Sequence, residues 1–73
     1  MSDLQGNIIE VFATNVRIER ARQKRKVREI AATAGISRET WAKAENGKPV
    51  GMETAAAMAV ALGVPLDRLL RAA

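Results

Sequence analysis

The chain has 73 residues, with 12 Lys and Arg against 8 Asp and Glu, and it contains neither Cys nor His. The length fits one small domain, and the net charge of +4 favours an anionic partner. The missing residue types exclude disulfides and thiolate metal sites and remove the commonest general base and metal ligand.

The apolar residues predict a helical core. Hydrophobic residues make up 48% of the chain but aromatic residues only 3%. Such a core consists of Ala, Val, Ile, Leu and Met, which favour closely packed helices over a sheet. No apolar run approaches the roughly 18 residues that cross a bilayer, and the N-terminus lacks the basic start of a signal peptide. We therefore expect a cytoplasmic protein without a membrane partner.

The first helix is predicted over about 8–24. Asn7 is its predicted N-cap, and Glu10 three residues later completes a capping-box pattern. The apolar residues that recur at helical spacing are Ile8, Ile9, Phe12, Ala13 and Val16. Residues 1–7 are then expected to form a flexible N-terminal segment.

Two short helices follow. The first is predicted over 27–34 from its apolar spacing, and Gly35 supplies the left-handed residue that commonly follows a helix end. Ser37 is the predicted N-cap of the next helix, over 38–45. Its single tryptophan, Trp41, is expected to face the core.

Two further helices complete the chain. Asn46 and Gly47 end the third helix, because both residue types tolerate positive φ. A fourth helix is predicted over 52–62 and ends at Gly63, and a fifth is predicted over 66–72. The inward-facing residues are expected to include Val50, Met52, Ala55, Met58, Ala59, Leu62, Leu66, Leu69 and Leu70.

All the excess positive charge lies in one segment. Residues 17–28 carry seven basic residues against Glu19, a net charge of +6. This segment is either a solvated helix face or a surface that contacts phosphates. Charge alone does not distinguish the two.

The segment from Val27 to Lys48, VREIAATAGISRETWAKAENGK, has the spacing of a helix-turn-helix. One short helix ends at Ala34-Gly35, one apolar residue and a cap follow, and a second short helix begins. A three-residue turn with glycine lets two helices pack at a steep angle and leaves one face of the second helix free. In helix-turn-helix proteins that second helix enters the DNA major groove.

On these segments, together with NVRIERARQKRKVREIA before them and METAAAMAVALGVPLDRLL after them, the chain resembles the Cro/phage-repressor helix-turn-helix family. This family is also called the XRE or lambda-repressor-like family. The resemblance covers about residues 12–71. It implies an all-α, compact five-helix DNA-binding domain over 1–73, with the helix-turn-helix at about 27–45.

The resemblance also assigns base-reading positions on the third helix. Arg38 is the best candidate for bidentate recognition of guanine. Glu39 either accepts from cytosine or pairs with Lys43 four residues later. The base-reading positions are Arg38, Glu39, Thr40, Ala42 and Lys43.

Phosphate contacts and a structural ion pair follow from the same resemblance. Arg20 and Glu45 match a pair that links the first helix to the third. The loop 46–48 matches one whose backbone amides and lysine contact phosphate. The phosphate-binding positions are Arg22, Lys26, Val27, Arg28, Ser37, Asn46, Gly47 and Lys48.

The chain departs from the family pattern at three places. Lys26-Val27 replaces Ser/Thr-Gln at the start of the second helix, so Val27 lacks the glutamine side chain that grips phosphate. Lys26 or Arg28 is expected to replace it with charge beside the helix N-terminus. Lys24-Arg25 replaces Gly-Leu, and Glu19 stands at a leucine position.

The predicted function is a sequence-specific regulator of transcription that binds double-stranded DNA, a repressor of the Cro/phage-repressor type in a prokaryotic cell or phage-infected host. A homodimer on a two-fold operator is the arrangement that the family implies. No enzymatic activity, cofactor, metal or small-molecule effector is expected. The alternative is an antitoxin of the same fold that binds a toxin and represses its own operon. Ile8 and Ile9 either cover the core or form part of a dimer surface, and Leu69, Leu70 and residues 72–73 are likewise either core or interface.

Overall fold

The computed structural model describes the backbone of residues 2–72 and the side chains of residues 8–72. Throughout this part of the chain the regular secondary structure is helical, which confirms the all-α fold class. The helices are α1 (Ser2–Gln23), α2 (Val27–Ala34), α3 (Arg38–Glu45), α4 (Met52–Leu62) and α5 (Leu66–Leu69). The predicted helix-turn-helix is formed by α2 and α3.

The start of α1 differs from the prediction. The helix begins at Ser2, so Asn7 and Glu10 lie inside it and do not cap it. An Asn cap stabilises a helix start by about 1 kcal/mol, and a helix that continues past it gains further backbone hydrogen bonds instead. Residues 2–7 are therefore helical in backbone, while the flexibility expected for 1–7 stays a prediction.

Four helices end in the same hydrogen-bond pattern. At each end a left-handed residue donates its amide to the carbonyl three residues earlier, and the next amide reaches back five residues. The left-handed residues are Lys24, Gly35, Gly47 and Gly63. Asn46 tolerates a positive φ as Gly47 does, but here its φ is −93° and Gly47 alone is left-handed. At Gly35 the φ of 75° sets the turn between α2 and α3.

The core takes one fully buried large side chain from each helix. These side chains are Val16, Ile30, Trp41, Met58 and Leu69. The inward positions of Trp41 and Met58 are thereby confirmed. Met52 was also expected inside but is 75% exposed, because it lies in the first turn of α4, before the buried stripe begins at Ala55.

The fifth helix is shorter than predicted, since it ends at Leu69 and does not continue to residue 72. The side-chain amide of Asn15 on α1 donates to the carbonyls of Leu69, at 2.9 Å, and Arg71, at 2.8 Å. These bonds hold the last residues against α1 in a non-helical path. Leu70, which was expected inside, is consequently exposed.

Glu19 occupies the family's leucine position without rotating α1. Its carboxylate is buried, lying 3.1 Å from Arg22 and 3.8 Å from Arg68, while Ile18 beside it is exposed. Two arginines thus compensate a carboxylate at the edge of the core. The same face of α1 therefore packs on the core, although Glu19 replaces the leucine.

Arg25 stands where the family has the leucine of Gly-Leu, and it makes hydrogen bonds to backbone carbonyls there. Its Nη1 donates to the carbonyl of Ala61 at 2.8 Å, and the side-chain amide of Gln23 donates to the carbonyl of Leu62, also at 2.8 Å. These carbonyls belong to the last turn of α4, where helices leave acceptors unsatisfied and favour positive charge. The α1–α2 junction therefore caps α4.

Candidate nucleic-acid interface

The turn between α2 and α3 is built from three residues with separate tasks. Gly35 provides the left-handed end of α2, and Ile36 packs against the core cluster. Ser37 caps α3, because its Oγ accepts a hydrogen bond from the backbone amide of Thr40 at 3.0 Å. The predicted N-cap at Ser37 is confirmed, and α3 starts at a fixed point on the domain surface.

α3 has an inner face that is held by the core and an outer face that is open. Trp41, Ala44 and Glu45 are buried on the inner face. Of the predicted base-reading residues, Glu39, Ala42 and Lys43 lie away from this face, while Arg38 stands at the first turn and Thr40 at the edge of the buried face. Arg38, Glu39 and Lys43 are exposed, and Thr40 and Ala42 are half-buried. The structure therefore leaves Glu39 and Lys43 on the open face of α3 and Arg38 exposed at its start.

Arg20 and Glu45 lie in direct contact and fix α3 to α1. Arg20 Nε is 2.6 Å from Glu45 Oε2, and its Nη2 is 2.9 Å from Oε1, a bidentate geometry. The indole of Trp41 donates to the same carboxylate at 2.7 Å. Arg20 also donates to the carbonyl of Arg25 at 3.1 Å. One arginine thus joins α1, the α1–α2 junction and the recognition helix candidate α3.

This network changes the acidity of its members. Burial acts to raise the pKa of Glu45, but the hydrogen bonds from Arg20 and Trp41 and the charges of Arg20 and Arg17 outweigh it, so the pKa lies below its ordinary value. The hydrogen bond to Glu45 raises the pKa of Arg20. Both groups therefore stay ionised at neutral pH.

The polar side chains of the outer face differ in how far they are already engaged. The hydroxyl of Ser37 donates to Thr40 Oγ1 at 2.8 Å, so these two residues bond each other. The sequence left open whether Glu39 pairs with Lys43. Among residues 8–72, the ion pairs closer than 4.0 Å do not include these two residues. Arg38, Glu39 and Lys43 consequently point their charges to solvent.

The start of α2 combines charge with unpaired amides. Lys26 is the N-cap residue, and its side chain makes no capping bond. Val27 is half-buried against the core, so only its backbone can face a ligand, while Lys26 and Arg28 are exposed. A helix N-terminus with two cations beside it suits a phosphate group.

The loop after α3 uses its amides internally. The amides of Asn46, Gly47 and Lys48 donate to carbonyls in the last turns of α3, at 3.0 to 3.2 Å. The backbone amides of this loop are therefore satisfied within the domain. What the loop presents outward is the exposed side chains of Asn46 and Lys48.

Comparison with known proteins agrees with this geometry. The model of the helix-turn-helix domain family matches residues 11–73. The chain belongs to this family. A crystal structure described as that of hypothetical transcription factor NHTF from Neisseria is similar to it, with a TM-score of 0.83, 27% identity, and 89% of this chain and 76% of that chain covered. No curated protein matches the chain.

In this helix-turn-helix domain, the basic segment 17–28 is divided between internal and outward-facing roles. Arg20 pairs with Glu45, Arg22 with Glu19, and Arg25 with the end of α4. Within residues 8–72, Lys26 and Arg28 make no side-chain hydrogen bond or ion pair. Arg22, predicted to bind phosphate, therefore already has a carboxylate partner, although most of its side chain is exposed.

Sequence reasoning did not assign the capping roles of Asn15, Gln23 and Arg25. Each joins residues that are 36 to 56 positions apart in the chain. The departure at Lys24-Arg25 was the available signal, since a long cation stood where the family has a leucine. No described helix of this domain is long and apolar enough to span a membrane. Among the described residues there is no cluster of three or more potential metal ligands.

Proposed function

We propose that the chain is a sequence-specific regulator of transcription that binds double-stranded DNA and reads the major groove with α3. The observation that carries the proposal is the division of α3 into two faces. Trp41, Ala44 and Glu45 are buried, while Lys43 is open to solvent on the other side and Arg38 is exposed at the first turn. A helix held in this way enters a groove as a rigid body.

The roles on the open face follow from side-chain chemistry. The planar fork of Arg38 matches the two acceptors of guanine in the major groove. Lys43 reaches a guanine or a phosphate, and Glu39 accepts from cytosine. Thr40 contributes through its methyl group or its hydroxyl, which Ser37 already orients. Ala42 contributes apolar contact with thymine.

Phosphate contacts flank this helix on both sides. Lys26 and Arg28 at the start of α2 are the strongest candidates, because they are exposed beside a helix N-terminus. Asn46 and Lys48 supply side chains from the loop after α3. Val27 contributes through its backbone and Ser37 through a hydroxyl that is bonded to Thr40. The amide of Gly47 is bonded to Ala44, so Gly47 provides close approach and no free donor. Arg22 contributes while it keeps Glu19 as its partner.

The finer proposal is a repressor of the Cro/phage-repressor type. Such a protein acts by occupying an operator and needs no catalytic chemistry or cofactor. Two observations support a regulator: the match to a helix-turn-helix domain model and the similarity to a protein described as a hypothetical transcription factor.

Selection of bound sequences from random duplex DNA, read at two salt concentrations, tests the proposal. We expect an enriched motif at both, with guanine prominent and with weaker overall binding at high salt, because phosphate contacts release counterions. The spacing of repeated half-sites reports whether two copies bind together. Random output at both salt concentrations contradicts a sequence-specific regulator.

A further inference from the structure

Asn46 and Gly47, the first two residues of the loop after α3, form an Asn-Gly pair. In such a pair the asparagine side chain loses its amide most readily, because glycine has no side chain that shields its backbone nitrogen. The other two asparagines of the chain, Asn7 and Asn15, are each followed by a β-branched residue, which does shield the nitrogen. Asn46 is therefore the asparagine most open to this reaction.

The surroundings of Asn46 restrain the reaction without preventing it. The side chain of Asn46 is exposed. The nitrogen of Gly47, which must attack that side chain, donates to the carbonyl of Ala44 at 3.2 Å, the longest of the hydrogen bonds made by the amides of the loop 46–48. Chain segments at helix ends open locally more readily than the core. The nitrogen therefore becomes available whenever this one bond breaks.

We propose that Asn46 is a site of spontaneous deamidation, and that the reaction inactivates the loop 46–48 as a DNA contact. The backbone nitrogen of Gly47 forms a bond to Cγ of Asn46, and the bond from Cγ to Nδ2 breaks. Nδ2 leaves as ammonia with the proton that the Gly47 nitrogen gives up. Water from the solvent then opens the resulting five-membered ring at either carbonyl, which yields aspartate or isoaspartate. The reaction is neither an oxidation nor a reduction, so water is its one co-reactant.

The product places a negative charge where the domain tolerates it poorly. Position 46 is the C-cap of α3, and a helix C-terminus already carries a partial negative charge. Glu10 and Glu45 line the same cleft of about 290 Å³ as Asn46, together with a single cation, Arg17. The new carboxylate therefore lies among like charges, and the end of α3 is expected to be less stable after the reaction.

The effect on DNA rests on the proposed function, whereas the chemical step does not. Asn46 and Lys48 present their side chains outward from the loop, where we propose contact with phosphates. A carboxylate at position 46 replaces a hydrogen-bond donor and repels a phosphate. Isoaspartate also lengthens the backbone before Gly47 by one carbon atom and thereby shifts Lys48. Affinity should fall for every duplex, because phosphate contacts carry no direct sequence information.

Incubation of the folded full chain at mildly alkaline pH, followed by mass spectrometry of its peptides, tests the chemical step. We expect conversion of Asn46 and none of Asn15, whose side-chain amide is bonded to two carbonyls near the C-terminus. Conversion should be faster in concentrated urea, where the bond from Gly47 to Ala44 is broken. If Asn46 keeps its amide in the folded chain and loses it only in urea, the proposal is overturned.

Duplex binding and thermal melting of the same samples test the consequence. We expect the converted chain to bind the selected and a scrambled duplex at least about tenfold more weakly, since like charges meet at the interface. Asn46→Asp should show this loss before any incubation. Asn46→Gln is the control, because its longer side chain closes a ring far more slowly. Whatever the starting affinity of this variant, that affinity should stay constant during the incubation.

Two further results overturn the proposal. A converted chain that binds and melts like the unconverted one shows that the modification has no effect on the loop. An Asn46→Gln chain that loses affinity as fast as the wild type shows that a different change is responsible. A wild-type chain that binds no duplex before incubation contradicts the proposed function and the loss of binding with it, while the mass spectra and melts still decide whether Asn46 is modified.

Discussion

Lys24 ends α1 in a backbone conformation that side chains with a Cβ atom adopt at a penalty. Its φ is 55°, whereas the equivalent positions after α2, α3 and α4 are glycines. The left-handed conformation is less stable by about 1–2 kcal/mol for a residue other than glycine. The lysine thus places a small strain at the junction that carries the basic segment.

Lys24→Gly is expected to stabilise the domain by about 0.5–1 kcal/mol, after the greater freedom of glycine in the unfolded chain is subtracted. For a domain of this size the melting temperature rises by about 4–8 °C for each kcal/mol. Thermal unfolding by circular dichroism measures it. Lys24→Ala is the control: it removes the same charge but keeps the Cβ, and we expect no such gain. Equal gains in both variants would show that charge, and not backbone strain, is responsible.

Substitutions of Arg38 and Lys26 test whether the first residue contacts bases and the second contacts phosphates. We expect Arg38→Ala to weaken binding to the selected sequence by about 1–3 kcal/mol while binding to unrelated DNA changes little, because a bidentate base contact is lost. Lys26→Ala is expected to weaken binding to all sequences similarly. Titrations with the selected and a scrambled duplex measure both. A uniform loss for Arg38→Ala contradicts its assigned role.

At the scale of the elements, one carboxylate adds a charged link between α3 and α1 to their apolar packing. Glu45 has a lowered pKa in the folded domain, since the hydrogen bonds from Arg20 and Trp41 outweigh the effect of burial. The stabilisation from this pair is therefore complete above the ordinary pKa of about 4.5. It is lost as the pH falls through the lower pKa of the folded state.

Glu45→Gln tests this linkage. The variant is expected to be less stable than the wild type at pH 7, because the buried Arg20 contact loses its charge partner. Its stability should fall less than that of the wild type as the pH falls below about 4.5, because the variant has no carboxylate at this position to protonate. Urea unfolding at several pH values measures both. Glu39→Gln, at an exposed position of the same helix, is the control, and a flattened pH profile in that variant would contradict the assignment.

Some element boundaries could be predicted from the sequence and others could not. The bounds of α2, α3 and α4 match the prediction, because their ends are set by neighbours such as Ser37 and Gly35. The end of α5 depends on Asn15, 54 residues away from Leu69. The cap on α4 comes from Arg25, 36 residues before Ala61. Such contacts leave no local pattern.

The candidate site shows the same contrast. A helix period was enough to place Glu39 and Lys43 away from Trp41, while Arg38 is exposed because it stands at the first turn of the helix. The amides of the loop 46–48 were expected to face phosphate, but their bonds to α3 carbonyls become evident only once the backbone path is known. Whether an internal acceptor already occupies a backbone amide depends on the three-dimensional structure.

At the scale of the whole molecule, the net charge is larger than the number of cations that are available to contact DNA phosphates. Two arginines of the segment 17–28, Arg20 and Arg25, are engaged inside the domain, and the mostly exposed Arg22 is already paired with Glu19. The outward cations are fewer than the sequence count implies. The salt dependence of binding should reflect the outward cations alone, because only contacts with phosphate release counterions.

Arg28→Ala and Arg25→Ala separate the two classes of cation. Arg28→Ala is expected to make the slope of log K against log salt shallower by about one. Arg25→Ala removes the same charge but should leave the slope nearly unchanged and lower the unfolding free energy by about 1–2 kcal/mol, because hydrogen bonds to the end of α4 are lost. Binding titrations at four salt concentrations and thermal melts measure these effects. A reversed pattern would place Arg25 on the DNA.

The hydrogen bond from Trp41 to Glu45 also has a spectroscopic consequence. The chain contains one tryptophan and no tyrosine, so its ultraviolet fluorescence arises from this single indole. That indole is fully buried and bonded at 2.7 Å to the carboxylate that fastens α3. Any displacement of α3 from α1 changes the surroundings of the emitter. The domain therefore contains an intrinsic optical reporter of the attachment of α3 to α1, and no label is needed.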